Sequence, residues 1–458
     1  MGASKLTRVS IILLMLVVAA LAAYPAPKGA LQVGAAKVDI TPADNAALQM
    51  SGYPGRDKGF SKVHDHIYVR SIVLNDGTSS AAIVVWELIG MPNEIWAELA
   101  DRIGKETGIP RENILLAGVH DHDAPSLAGM YARAGAKPPE QKQIDYTEKV
   151  KNAAMEAVRQ AKANLQPAKV GYGTGKAYVN INRREYFADK GWYWLGHNPD
   201  APSDKTLAVV KFESLSGKAI AFFINYPVHA VVMPSTNFQI SGDLAGATSR
   251  FVEQYYKGDK ANAPRSDAGY AIRLKPEELS DQVVAIWTSG TAGDQNPTVM
   301  SDNEDFTIVD AIGKILGEET VRVAHGITTT PQGQIWGSQR EVSCPGRTVE
   351  PGQRPRTDYK FTDSPNPVSI RLSLLMINDI ALAGMSGEVL TNIGLHLKKD
   401  SLFNQTIIVT HANGGSGYVP SDSLFDQLIS YENTTSRLKP GCAENAIVNG
   451  FLEMMQQH

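Results

Sequence analysis

The sequence predicts an α/β fold, a mixed β-sheet core layered with helices. Two observations predict it. First, β-rich apolar runs and amphipathic helical stretches alternate along the chain, the order that yields sheets covered by helices. Second, four apolar runs, "ILLAGVHDHD", "AFFINYPVHAV", "VVAIWTSGTAGDQNP" and "IALAGMSGE", pass straight into polar or glycine-containing loops. In α/β folds ligand sites gather beyond the carboxyl ends of strands, so these four ends are candidates for one site.

The elements follow in order. Lys5 and Arg8 precede the uncharged run "VSIILLMLVVAALAA". That run is shorter than the roughly 20 residues a spanning helix needs, and small residues near Ala22 suit a signal peptidase. Residues 1–23 are read as a secretory signal and 30–458 as one domain. The protein is expected to be exported, secreted or periplasmic, with an uncleaved membrane anchor as the alternative. "LQVGAAKVDITP" reads as a strand stopped by Pro42, and the runs on either side of Asn75-Asp76-Gly77 as a hairpin. "NEIWAELADRIGKETG" has helical spacing and ends on glycine. "ENILLAGVHDHD" is the next strand, and "TEKVKNAAMEAVRQAKANL" an amphipathic helix. Strands "LAVVKFES" and "AIAFFINYPVHAVV" precede a helix at "LAGATSRFVEQYY", and residues 255–280 read as a polar loop or insertion. Strand "QVVAIWTS", helix "EDFTIVDAIGKILGEETVRVAHG", paired strands in "VSIRLSLLMINDIALAGM", helix "LTNIGLHLKKD" and strand "TIIVTHANG" complete the pattern.

Composition narrows function. The 458 residues are 43% hydrophobic and 20% charged, an ordinary globular balance. Loss of residues 1–23 would move the formal charge from −4 to −6, so nothing electrostatic favours nucleic acid. Cys344 and Cys442 lie too far apart for a zinc knuckle. Export permits a disulfide between them, two separate thiols are the alternative, and geometry decides.

The chemistry sits at the strand ends. Side chains two apart on a strand share a face, so His120 and His122 are expected to point at one ligand. Imidazole is a good metal ligand, although a hydrogen-bonded pair at a strand end would look the same. His229 alone could be a satisfied core histidine, and Glu388 alone a helix-start charge. A second pair, His64-Asp65-His66, precedes a strand instead of ending one, and His64 and Asp65 are read as structural or supporting. It invites an amidohydrolase-barrel reading, but the strand–helix succession and later ligands that barrel needs are missing. Ala124 and Pro125 break the HxHxDH pattern of metallo-β-lactamases. "SGTAGDQNP" lacks a P-loop lysine, and no GxSxG elbow occurs.

Taken together, the motifs resemble the neutral/alkaline (non-lysosomal) ceramidase family, in its amino-terminal catalytic domain. "LLAGVHDHDAPS" is similar to the family's THTHSGP segment and "VNINRRE" to its NINRS segment. "NYPVHAVVM…ISGDLAG" matches its second histidine motif, "AGDQNP" its GDVSPN-like loop, "SGEVLTNIGLHLK" its PGE-and-helix motif, and "NGGSGYVPSDSLFDQLISYEN" its GYVTT…YEG segment. The openings "VGAAKVDITP" and "VHDHIYVRSIVLNDG" look like its first strand and hairpin.

The resemblance implies one zinc ion per chain, held by His120, His229, Glu388 and Tyr418. It implies that His122, Arg183 and Tyr431 line the reaction centre, His122 relaying a proton and the other two donating to an oxyanion. Asp243 is expected to orient a histidine from behind. Three departures matter. Asn296 stands where the family has a serine, and an amide cannot act as an alkoxide, so water must be the nucleophile and Asn296 an oxyanion donor. Asp121 and Asp123 replace Thr and Ser, which is expected to raise imidazole basicity and disfavour anionic substrates. The chain ends at His458, so the family's carboxy-terminal Ig-like β-domain is expected to be absent.

The implied activity is zinc-dependent amide hydrolysis of ceramide, or a related N-acyl lipid, to sphingosine and fatty acid. A lipid-like substrate is compatible with a peripheral membrane contact, and the oligomeric state is left open. The alternatives are a zinc hydrolase of a non-ceramide amide or ester, and an inactive zinc-stabilised binding protein.

Overall fold

Strands β1 (Gln32–Asp39), β2 (Tyr68–Asn75) and β3 (Ser80–Trp86) pair antiparallel in the order β1-β2-β3. Their side chains alternate between two buried clusters. Ala81, Ile83 and Val85 enter one; Ala82, Val84 and Trp86 enter the other. A sheet covered on both faces requires that double burial. In this computed structural model the described residues are 29–56, 58–130, 138–258, 271–302, 305–348, 361–425 and 430–458. The expected leader lies outside them, as does much of the 255–280 insertion. Among the described residues no helix is long and apolar enough to cross a membrane.

Helix α1 (Asn93–Thr107) ends on Gly108, whose φ of 74° is the left-handed cap that glycine adopts without strain. It leads to β4 (Ile114–Gly118), parallel to β3. Helix α2 (Gln141–Ala163) covers β1 and β2 with α1 beside it. Strands β5 (Gln166–Lys176), β6 (Asn180–Phe187), β7 (Trp192–Asn198), β8 (Thr206–Ser214) and β9 (Ala219–Tyr226) follow, then α3 (Asp243–Tyr256) and β10 (Val284–Ser289). The main sheet has eight strands in the order β10-β9-β8-β5-β1-β2-β3-β4. Helices α3 and α4 (Thr307–Gly326) pack on each other and on its other flank. The short β11 (Gln295–Pro297) joins β6 and β7 in a small separate sheet.

The second half builds a four-stranded sheet, β12-β13-β14-β16, from β12 (Ile335–Cys344), β13 (Val368–Ile377), β14 (Ile380–Met385) and β16 (Gln405–Val409). Between them lie β15 (Glu388–Val389) and α5 (Thr391–Asp400). After them come β17 (Tyr418–Val419), parallel to β15, then α6 (Tyr431–Thr435) and α7 (Ala443–Met455). Cys344 and Cys442 form a disulfide with Cα atoms 5.7 Å apart, tying β12 to the start of α7.

The predicted α/β class holds, while several strand ends come earlier than the sequence suggested. β4 stops at Gly118, β9 at Tyr226 before Pro227, and β16 at Val409. Each run continues past its ladder because its last residues bond to other strand ends instead. Ala412 bridges to Ala117, and the Thr410 N–H donates to Ser289 O at 3.0 Å. Residues 410–413 therefore close the gap between β4 and β10, the two edges of the main sheet.

Candidate metal centre

His120 follows β4 by two residues, with φ 64°. A non-glycine residue in the left-handed region carries strain that the surrounding structure must hold. The expected strand alternation is therefore not what aligns His120 and His122. The chain turns at His120, and the backbone N–H groups of His120 and His122 donate to Leu88 O and Ala230 O. The two rings still meet, with their Nε2 atoms 3.3 Å apart. His411, with φ 54°, is a second such residue, and its ring stacks on that of His120.

Both outer histidines have their tautomer set from behind. Nδ1–H of His120 donates to Ile89 O at 2.9 Å, and Nδ1–H of His229 to Ala292 O at 2.6 Å. That leaves each Nε2 with its lone pair turned inward. Glu388 lies between them: its Oε2 is 3.4 Å from His120 Nε2 and 3.5 Å from His229 Nε2. This oxygen is buried and, among the described residues, has no hydrogen-bond partner.

The arrangement fits a metal ion. His120, His122 and His229 can each offer a ligand atom within 4.8 Å of the others. A tetrahedral ion with ligand bonds of about 2.0–2.1 Å spaces its ligands about 3.3–3.4 Å apart. The His120–Glu388 and His229–Glu388 separations of 3.4 and 3.5 Å come close to that edge. Protonation agrees. Burial, then Arg183 and His120, pushes His229 down to about 3. Burial, then His120 and His229, pushes His122 well below the usual histidine range. Burial alone would raise Glu388, but His120 and His229 hold it well below the usual carboxylate range. Neutral imidazoles and an ionised carboxylate are the ligand forms.

The remaining predicted residues surround these ligand atoms. Tyr418 pairs with Glu388 across β15 and β17, and its hydroxyl accepts from Arg183 Nη2 at 3.0 Å. Burial and Glu388 raise this phenol well above its usual range. Tyr431 sets its ring edge-on to Tyr418, with centroids 5.7 Å apart. Arg183 uses its whole fork. Nε donates to Glu432 at 2.9 Å; Nη1 to His229 Nε2 at 3.2 Å and Asn296 Oδ1 at 3.3 Å; Nη2 to Gly293 O at 2.8 Å and to Tyr418. Asn296 is thus held by its carbonyl, which leaves its amide as the donor. In the same loop Asp294 is used structurally: it accepts from the Thr391 N–H and hydroxyl at the start of α5.

Two expectations are corrected. Asp243 orients no histidine among the described residues; it accepts from the N–H groups of Val232, Met233 and Leu244. Asp121 and Asp123 do not reach the imidazoles either. Asp121 accepts from the Asp123 N–H, and Asp123 from Arg56 and Asn237. Burial and neighbouring carboxylates push both well up.

The second histidine pair lies elsewhere. His64 stacks on Phe306, and Asp65 accepts from Ser241 Oγ, the Gly242 N–H and Arg250 at the head of α3. The structural reading of His64 and Asp65 holds.

Sequence reasoning missed Glu432 and His411. His411 stacks on His120, centroids 3.9 Å apart and planes 15° apart. It closes a fifth apolar run, "TIIVTHANG", and counting that strand end with the other four would have found it. Glu432 adjoins Tyr431, and no local pattern marks it.

The chain is similar to neutral ceramidases. The family model described as neutral/alkaline non-lysosomal ceramidase, N-terminal, matches residues 31–310. That span includes His120, His122, Arg183, His229 and Asn296. Neutral ceramidase B of Dictyostelium discoideum is 28% identical over 236 residues, 50% of this chain and 32% of the relative. The neutral ceramidase of Pseudomonas aeruginosa is 28% identical over 231 residues, 47% of this chain and 32% of the relative. The aligned stretches thus span about a third of these curated relatives. The crystal structure of the Pseudomonas aeruginosa neutral ceramidase superposes with a TM-score of 0.71 at 18% identity, covering 94% of this chain and 74% of that one. At 94% of the chain, this likeness of fold extends past residue 310.

Proposed function

The chain belongs to the neutral/alkaline non-lysosomal ceramidase family, and on that footing we propose that it is an exported zinc hydrolase cleaving the amide of ceramide or a related N-acyl lipid. One observation carries the reading: the Nε2 atoms of His120 and His229 lie 3.4 and 3.5 Å from one buried Glu388 oxygen that has no hydrogen-bond partner among the described residues, beside a fully engaged arginine.

His120, His229, Glu388 and Tyr418 would hold the zinc. When bound it supplies a Lewis acid and a water acidic enough to ionise near neutral pH. His122, kept neutral by burial, accepts the proton at an imidazole nitrogen and returns it to the leaving amine. Arg183 Nη1 bears a hydrogen now directed at His229 Nε2; with that lone pair engaged, the hydrogen is free for a substrate oxygen. The Asn296 amide and the Tyr431 hydroxyl complete the donors to the oxyanion. With an amide at position 296, the chain offers no alkoxide at that place, so the attacking group is water.

The test is fatty-acid release from a short-chain fluorescent ceramide, measured as purified, after chelation and after zinc return. Activity lost on chelation and restored by zinc is expected. A protein holding one zinc that releases no fatty acid would overturn the substrate. A panel of N-acyl amides and esters would then locate the bond it cleaves.

A further inference from the structure

Arg183 and Arg184 are neighbours on β6, and both are buried. Successive residues of a regular strand point to opposite faces, yet both arginines reach the same carboxylate. Glu432 Oε1 accepts from Arg183 Nε at 2.9 Å, and Oε2 lies 3.4 Å from Arg184 Nε. The pairing of β6 with β7 loses register between Asn182 and Arg184, so Gly196 and His197 both face Arg183. Such a bulge adds twist and re-aims side chains. Glu432 itself is 1% exposed and sits one residue after Tyr431 in α6.

We propose that Glu432 is a positioning residue, the counter-charge that holds the Arg183 fork against His229 and locks Tyr431's helix to β6. This rests on reading His120, His229 and Glu388 as a metal centre. Among the described residues the Glu432 carboxylate pairs with Arg183 and Arg184 and not with those ligands, so it acts through Arg183. Arg183 has five N–H donors, and the four not on Glu432 go to His229, Asn296, Gly293 and Tyr418. Without the carboxylate, two buried guanidinium groups lose a shared counter-charge. One of them lies 3.2 Å from a ligand nitrogen, where positive charge opposes a bound cation.

The experiment measures zinc affinity by competition with a chromophoric chelator, alongside kcat and KM. Glu432→Gln is expected to weaken zinc binding about 10–100-fold, the range for groups supporting metal ligands. It should lower kcat while leaving KM within about twofold, since the contact is felt at the reacting atoms. In an Arg183→Met background, adding Glu432→Gln should change zinc affinity by less than about twofold, the non-additivity of two groups acting as one. Glu432→Asp keeps the charge with a shorter reach, and should retain zinc more tightly than Glu432→Gln.

A folded Glu432→Gln protein with wild-type zinc affinity overturns the proposal, as does full additivity with Arg183→Met. Should Glu432→Gln not fold, the Arg183→Met pair, which removes both charges, and Glu432→Asp decide the matter. A further loss of zinc affinity of more than about twofold on adding Glu432→Gln to Arg183→Met, or a Glu432→Asp protein that binds zinc no better than that double variant, would overturn it. Wild-type protein that binds zinc but cleaves no lipid amide would refute the substrate and leave this inference standing. Wild-type protein that takes up no zinc would refute both.

Discussion

His120-Asp121-His122 and His64-Asp65-His66 contain the same residue types in the same order, and fold to opposite ends. In the first, the rings turn inward, their Nε2 atoms 3.3 Å apart, beside His229 and Glu388. In the second, His64 lies flat against Phe306, while His66 pairs at the surface with Asp39 at 2.6 Å. The middle aspartates diverge as well. Asp121 folds back on its own loop, whereas Asp65 reaches across to α3 and Arg250. The contrast lies in what each pair meets. The first meets other strand ends carrying nitrogen and oxygen ligands; the second meets an aromatic ring and a helix terminus.

The comparison can be broken or sharpened by substitution. The largest effect is expected at His229: His229→Ala should abolish zinc retention and lower turnover by about 10³-fold or more, roughly 4 kcal/mol in the barrier. His64→Ala should keep its zinc and nearly all its activity. Metal analysis of the two variants side by side checks this, and equal zinc loss in both would erase the distinction between the motifs.

Asn296→Ala should lower kcat by about 10²-fold with a smaller change in KM, the size of losing one oxyanion donor. An unchanged rate would remove Asn296 from the reaction. Asp65→Ala touches no reacting group. It should cost about 1 kcal/mol of stability, as the loss of a helix-end acceptor does, and leave kcat unaltered. A urea melt with parallel kinetics separates the two.

The smallest effect concerns acid stability. Burial would raise Asp39, but the Thr41 hydroxyl and N–H and His66 bring it below the usual range. A lowered carboxylate contributes stability above its unfolded pKa, and that stability is lost as pH falls through the folded value. His66→Ala should move Asp39 back upward and shrink that contribution at the acid end. NMR titration of Asp39 reads the change, and an unmoved titration would mean His66 contributes nothing there.

How much was legible differs by element. β3 and β4 could be read from β-branched and apolar runs, and α1 from its spacing and Gly108. The ends of β4, β9 and β16 could not, because their last apolar residues bond to other strand ends far away in sequence. Apolar character reports burial, and burial continues past the ladder. Of the site, His120, His122, His229 and Glu388 were marked by position after apolar runs. Asn296 lay in the polar loop after another such run, though its role, like Tyr418, Tyr431 and Arg183 altogether, came only through resemblance. Glu432 escaped both, since a glutamate inside a short helix looks like any solvated charge until Arg183 and Arg184 are brought to it.

The sequence by itself determined the α/β class, the strand ends where polar chemistry collects, and the family. Those properties follow from hydrophobic periodicity and from short motifs, which are local along the chain. Tertiary structure alone decided which of two identical histidine patterns faces a carboxylate, that Cys344 joins Cys442, and that one buried glutamate restrains two neighbouring arginines. Each of these depends on residues distant in sequence meeting within a few ångströms, and no local pattern encodes that distance.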